Sequence, residues 1–439
     1  MSANAYINDN FWIPFTPNRD FHQDPKLVTR AQGIYYFDHL DRPIIDGVSG
    51  LFTSALGHGR EDITKAISQQ LSTLDYISSF YRSHPLAFKA ARALANILPD
   101  GLDRIFFVSS GSEAVDSAMK IALAYQRARG QGTRHLFVSR ERAYHGVNLG
   151  GVSLSGLVNN RRQFALSGCP VVHMRHTWQS SQRFQKGQPE HGAELADDLL
   201  SLINLHGAEN IAACIVEPIA GSTGVLVPPK GYLERLRYLC DQHDILLIFD
   251  EVICGFGRTG KAFASQSFNV RPDIITMAKA LTNGTQPMGA VAVDRRIYDT
   301  IIDAADEQQI ELFHGYTWSA HPVACAAALA TLNIYEQEKT FHQGERLSPL
   351  FLDRLYELQS LPVVDDIRGY GLLGGIDLRP EEIPGQRGYR LQKILFERGL
   401  HIKSTGDALI LAPILTTTLE QLDKLFSILT DVLNKEVVS

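Results

Sequence analysis

Along the middle of the chain, short continuous runs of β-branched and aromatic residues alternate with longer stretches in which apolar residues return every third or fourth position. The runs are Arg104–Val108, His135–Ser139, Ala212–Glu217, Ile245–Asp250, Ile274–Met277 and Ala290–Val293. Continuous apolar runs suit strands covered on both faces, and the amphipathic stretches between several of them supply the crossovers of a mostly parallel sheet. The pattern predicts an α/β fold. Its clearest helix is Ser112–Gly130, where Val115, Met119, Ala122 and Tyr125 fall on one stripe. Ser110 stands before Glu113 at capping-box spacing, and Gly130 supplies the stop.

Both ends of the chain have a different grain. Tyr35–Asp38 and Pro43–Asp46 flank a turn-like His39–Arg42, which predicts a hairpin in a small α+β segment. Near the other end, a helix over Cys325–Glu338 leads into a second α+β region. There is no internal repeat and no low-complexity linker, so these parts are expected to pack together.

Composition narrows the classes of function. With 439 residues, 44% of them hydrophobic and 21% charged, the chain is globular and large enough for more than one core. A net charge of -6 and the absence of Lys/Arg runs argue against a nucleic-acid partner. Met1–Tyr6 does not read as a leader, and no apolar stretch approaches the roughly 20 residues that span a bilayer, so a cytoplasmic protein without a membrane partner is expected. The cysteines, at 169, 214, 240, 254 and 325, are odd in number and form no C-x-x-C, against a disulfide framework. His173 and His176 have H-x-x-H spacing without supporting carboxylates, and no metal is expected.

Two stretches match G-x-G-x-x-G: Gly255–Gly260 and Gly369–Gly374. A dinucleotide fingerprint needs its first glycine at the end of a strand and a helix opening at the last. Asp250–Cys254 separates the first match from its strand, too little chain follows before Pro272 for a crossover helix, and the second match precedes a strand. Both read as flexible loops. Phosphate chemistry is better placed at Phe106–Ala114, where a strand, the turn Ser109-Ser110-Gly111-Ser112 and the capped helix follow one another. A helix N-terminus there offers unpaired N–H groups and the positive end of the dipole, although a serine cap alone would also explain the stretch.

Asp250 ends an apolar run, and Lys279 stands just past the next one, so both belong at the sheet edge where α/β proteins hold ligands. An ion pair would account for them. Together with a phosphate-ready helix end, they also provide what pyridoxal 5'-phosphate (PLP) requires: a lysine for its aldehyde, an acid for its ring nitrogen and a cradle for its phosphate.

Ile248-Phe249-Asp250-Glu251-Val252, Gly255-Phe256-Gly257-Arg258, Pro272-Asp273 and Lys279 resemble the signature of class III (subgroup II) aminotransferases. Ser110–Ala114, Tyr144-His145-Gly146, Glu217-Pro218, Phe313–Thr317 and Arg368–Leu372 follow in that family's order. Trp12–Thr16, Ser49–Phe52, Gly187–Gly192 and Thr282–Gly284 are most similar to ω-amino acid:pyruvate (β-alanine:pyruvate) members. The resemblance implies PLP-dependent transferase fold type I, with a large domain (66–325) built on a mostly parallel seven-stranded sheet flanked by helices. It also implies a small α+β domain drawn from both chain ends (1–65 and 326–439). Lys279 and Asp250 would be catalytic. Ser110, Gly111, Ser112, Tyr144, His145, Glu217, Asp250, Val252 and Lys279 would hold the cofactor, Tyr144 and Val252 covering its ring, with Thr317 reaching the phosphate across a dimer interface. A homodimer, or a dimer of dimers, with shared active sites is implied, as are an amine donor and a keto-acid acceptor such as pyruvate.

Two positions depart from the family's pattern. Lys403 stands where an arginine ordinarily meets the substrate carboxylate, and a lysine is a point charge without the bidentate fork. Phe52 stands where tryptophan is common; with Phe15, Phe80 and Tyr144 it suggests an apolar substrate pocket, though core packing explains phenylalanines equally well. The resemblance thus implies an ω-transaminase acting on ω-amino acids or primary amines. An amine:pyruvate enzyme with little ω-amino acid activity, an aminomutase or decarboxylase on the same scaffold, and a binding protein that keeps only the fold stand as alternatives.

Overall fold

The computed structural model describes residues 7, 8, 10–164 and 168–436; Met1–Tyr6, read above for a leader, lies outside the described residues. Strands β1 (Val28–Gln32), β2 (Tyr35–Asp38) and β3 (Pro43–Asp46) precede the large sheet. That sheet comprises β4 (Arg104–Val108), β5 (Leu136–Arg140), β6 (Val171–Met174), β7 (Ile211–Val216), β8 (Leu246–Asp250), β9 (Ile274–Met277) and β10 (Gly289–Val293). Its spatial order is β4-β10-β9-β8-β7-β5-β6, with β10 antiparallel to both neighbours and the other pairings parallel.

Six of the seven strands coincide with the apolar runs to within a residue or so; β6 does not. It lies at the sheet's edge, carries His173 and is half-buried over most of its length, so the uniform apolar signal of a central strand is missing there. The leading helix runs Gly111–Ala128, and Val115, Met119, Ala122 and Tyr125 are buried in one cluster with Ile215, Ile248 and Val291 of the sheet. Ser110 Oγ accepts from the Glu113 N–H as predicted, but the Glu113 carboxylate reaches back to the N–H of Ser109 rather than that of Ser110. The later helix begins earlier than predicted, at Pro322, and ends at Gln337.

The predicted hairpin is present as β2 and β3, and the Asp38 carboxylate ties its turn by accepting from the Leu40 and Arg42 N–H groups. Downstream come β11 (Val364–Tyr370), β12 (Leu373–Leu378), β13 (Leu400–His401), β14 (Lys403–Thr405) and β15 (Ala408–Leu411). β13 pairs with β3 in parallel, so the two ends of the chain share a sheet.

Neither glycine cluster is a flexible loop, which corrects that expectation. Gly255–Gly260 is buried, held by Glu251, whose carboxylate accepts from the N–H groups of Ala264 (2.5 Å) and Ser265 (2.9 Å). Gly369–Gly374 is the β11–β12 hairpin, turning at Gly371 with φ 59°; a Cβ there would lie 2.3 Å from the Arg258 carbonyl oxygen. Asp273, near the offset of a ribose-binding acid, is bonded to the Leu247 N–H and to Arg237 and Arg296.

Candidate active site

At the carboxyl edge of the sheet lies a cleft of about 330 Å³, lined by Ser110, Gly111, Ser112, Tyr144, His145, Glu217, Asp250, Val252 and Lys279. These residues come from the ends of β4, β5, β7, β8 and β9, the strand ends where an α/β sheet exposes its ligand crevice.

At one side the helix Gly111–Ala128 opens into the cleft. Ser110 is extended, with φ -157° and ψ 166°, and its hydroxyl caps the helix. At Gly111 a Cβ would sit 3.0 Å from Val252 Cγ1, so the absence of a side chain keeps a slot open beside the helix end. Ser112 Oγ accepts from the Val147 N–H at 3.0 Å and pins the Tyr144–Val147 loop over that end. Gly146, at φ 96°, fits against Ser112 only because it lacks a side chain. The Ser109 hydroxyl is buried without a partner.

In the floor, the Asp250 carboxylate is bonded to His145 Nδ1 at 2.7 Å and to the Val252 N–H at 3.1 Å. His145 Nε2 is buried and unpartnered. Glu217 accepts from the N–H groups of Tyr144 (3.0 Å) and Gly221 (3.1 Å), and burial pushes its carboxyl above the ordinary range. Lys279 begins a short turn with φ 48°, a left-handed conformation that a lysine rarely adopts. Burial holds its amine below the ordinary lysine range, with Asp250 and Glu217 opposing that shift. Among the described residues no carboxylate lies within 4 Å of the amine, so an ion pair with Asp250 does not explain the two residues.

A pyridoxal phosphate fits this arrangement. The helix end, the open slot at Gly111 and the spare Ser109 hydroxyl suit a phosphate, and Asp250 offers an acid in the floor. When bound, that cofactor supplies an aldehyde that a lysine amine can capture and a ring that withdraws electrons.

The expected substrate-side residues are more scattered. Phe52 is buried, and its ring centroid lies 6.0 Å from Lys279 Nζ. Phe15 and Lys403 line a neighbouring cavity of about 650 Å³ instead. Lys403 Nζ donates to the Ser222 carbonyl at 3.1 Å and to the Thr405 hydroxyl. Burial, reinforced by the charge of Lys279, lowers Lys403 to about 8. Phe80 and Thr317 are exposed and outside the cleft of this single chain. The cleft also includes Thr53, Gln286, Pro287 and Met288, which sequence reading did not single out. The last three simply follow the turn after Lys279, and no motif or periodicity marks them.

The family model for aminotransferase class-III matches residues 17–433. The chain is 50% identical to an omega-aminotransferase of Caulobacter vibrioides, covering 97% of this chain and 98% of that one. It is 45% identical to a beta-alanine–pyruvate aminotransferase of Pseudomonas aeruginosa, covering 96% and 95%. The solved omega transaminase of Pseudomonas jessenii in complex with PMP superposes with a TM-score of 0.89 at 34% identity, over 96% of both chains. The chain therefore belongs to the class III aminotransferases, enzymes of PLP fold type I that move an amino group from a donor to an acceptor with pyridoxal phosphate as cofactor.

Proposed function

We propose that this enzyme is an ω-transaminase that takes its amino group from an ω-amino acid resembling β-alanine, or from a primary amine, and delivers it to pyruvate in two separate half-reactions. The observation that carries the reading is the convergence of Asp250, Lys279 and the Gly111 helix end on one cleft. The names of the relatives from Caulobacter and Pseudomonas support the donor and acceptor classes.

In this reading Lys279 is the catalytic base. Its burial favours the neutral amine, so Nζ can accept the proton that leaves the amine-bearing carbon of the donor, hand it on within the same half-reaction, and carry a proton the opposite way in the second. Asp250, oriented by His145, would meet the ring nitrogen, and Tyr144 and Val252 would cover the ring, while Glu217 orders the Tyr144 loop. Ser110, Gly111 and Ser112 would hold the phosphate. Thr317 serves the site of a second subunit in a homodimer or a dimer of dimers, a reading supported by the exposure of Phe80, Phe313 and Trp318 on one chain. Sharing of one sheet by β3 and β13 supports a small domain made of 1–65 and 326–439 around a large domain of 66–325. Among the described residues no helix is long and apolar enough to cross a membrane, in keeping with a cytoplasmic enzyme.

The test is the visible spectrum of the purified protein after incubation with PLP, recorded with β-alanine or 1-phenylethylamine and then with pyruvate. The yellow band should fade with the donor and return with pyruvate as alanine forms. Without alanine, an aminomutase or decarboxylase reading replaces this one. A protein that stays colourless overturns the assignment of the site.

A further inference from the structure

Between the cleft and the neighbouring cavity runs the turn Val48–Thr53. Thr53 lines the cleft, while Val48 and Leu51 line the cavity of about 650 Å³; the Phe52 ring lines neither and is buried with its centroid 6.0 Å from Lys279 Nζ. The turn is a partition, and it is a strained one. Ser49, Gly50 and Phe52 all have left-handed φ, at 50°, 71° and 63°, and two of these three carry side chains. Such a conformation persists only where its surroundings hold it.

The holding groups are identifiable. Asp46 is buried, and its carboxylate accepts from the Val48 N–H at 3.2 Å, the Gly50 N–H at 2.5 Å and His58 Nε2 at 2.8 Å. The His58 ring packs on Tyr36 at a centroid distance of 4.5 Å. From the other side, Ser49 Oγ donates to the Ala412 carbonyl at 2.7 Å. We propose that Asp46 is a positioning residue that sets the size of amine the enzyme accepts: its carboxylate fixes the Ser49–Phe52 turn, and the turn keeps Phe52 beside Lys279 as a barrier between cleft and cavity. Asp46 touches neither reactant; it acts through Phe52. The inference rests on the amine-transaminase reading above.

A paired-variant experiment tests it. Asp46→Asn keeps the side chain's size, but whichever way the amide lies, its NH2 group faces backbone donors that the carboxylate had satisfied. Holoenzymes of wild type, Asp46→Asn, Phe52→Ala and the double variant are assayed with 1-phenylethylamine and with 1-phenylpropylamine, which is one carbon larger. The larger-to-smaller ratio of kcat/KM should rise about ten-fold in Asp46→Asn, with KM for the larger amine falling, since a single methylene at a fitted wall is worth at least that much. In the Phe52→Ala background, Asp46→Asn should leave the ratio unchanged. Equal losses on both amines, or the full shift persisting without Phe52, would overturn the proposal. His58→Phe, which removes one donor and keeps the ring on Tyr36, should move the ratio in the same direction by about three-fold and serves if Asp46→Asn does not fold. An unchanged ratio there counts against the proposal in the same way. Calorimetric binding of 1-phenylethanol and 1-phenylpropanol should show the same shift without turnover. A wild type that uses neither amine would sink the amine reading, and the alcohols would still decide whether Asp46 sets the barrier.

Discussion

Asp250, Lys279 and Ser110 reach the cleft from the ends of strands in one buried sheet, whereas Phe15 and Phe52 come from one end of the chain and Lys403, at the start of β14, from more than three hundred residues further on. In the floor, Asp250 and Glu217 are each fixed by two hydrogen bonds to groups at the ends of the same sheet or in the loops that follow. In the wall, the Phe52 turn depends on Asp46, His58 and the Ala412 carbonyl, and Lys403 is tied to Ser222 and Thr405. On the proposed function, chemistry is set by a buried sheet and selectivity by strained or tethered segments. Lesions in the floor should abolish turnover; lesions in the wall should redirect it.

The largest effect is expected in the floor. Asp250→Asn keeps the shape of the side chain and loses its charge, so the acid proposed to meet the cofactor's ring nitrogen is removed while β8 stays intact. We expect kcat to fall about a thousand-fold, in line with the loss of a preorganised electrostatic group, with Tm shifted by only a few degrees. A fall of less than about ten-fold would show that His145 or Glu217 can replace Asp250.

Next to it in sequence, Glu251 points away from the cleft and staples the buried glycine loop. Burial raises its carboxyl from the ordinary 4.5 to about 7. Because the folded value is the higher one, the protonated group's contribution to stability is full below 4.5 and is lost as pH rises through about 7. Unfolding free energies of wild type and Glu251→Gln should therefore diverge over that window by about 3 kcal/mol, with the variant relatively more stable at the upper end. Parallel curves would place the ionised carboxylate comfortably in the loop.

The same contrast governs how much of the molecule is legible in its sequence. Asp250, Lys279 and the Ser110–Ser112 turn can be picked out because each follows an apolar run, and a buried parallel strand delivers the residue after it to a known edge. The family signature adds Tyr144, His145, Glu217 and Val252, which no local pattern would select. β6 escapes because it is short, lies at the sheet edge and has its apolar run interrupted by His173. The glycine clusters mislead because a sequence shows that glycine permits flexibility, but not that a neighbouring backbone leaves no room for a Cβ, as at Gly371. The Asp46 clamp is invisible for a related reason: Asp46 ends an ordinary hairpin strand, and its role depends on a turn whose left-handed backbone only the fold reveals.

In the wall, Lys403→Ala should weaken β-alanine use by about ten- to a hundred-fold, the worth of a charge-assisted hydrogen bond, and 1-phenylethylamine use by little. Equal losses on both donors would show that Lys403 does not read the carboxylate.

The smallest expected effect is also the finest test of the wall. With Lys403 lowered to about 8 by burial and by the charge of Lys279, it is a cation below that pH and increasingly neutral above it. A carboxylate-bearing donor gains from the cation and an apolar amine does not. The ratio of kcat/KM for β-alanine to that for 1-phenylethylamine should accordingly fall several-fold as pH rises through about 8. Using a ratio cancels the titration of Lys279, which both donors require. Lys403→Arg keeps its charge across the range and should flatten the ratio, whatever it does to the absolute rates. If the arginine variant retains the wild-type fall, the titrating group belongs to the floor rather than to the wall.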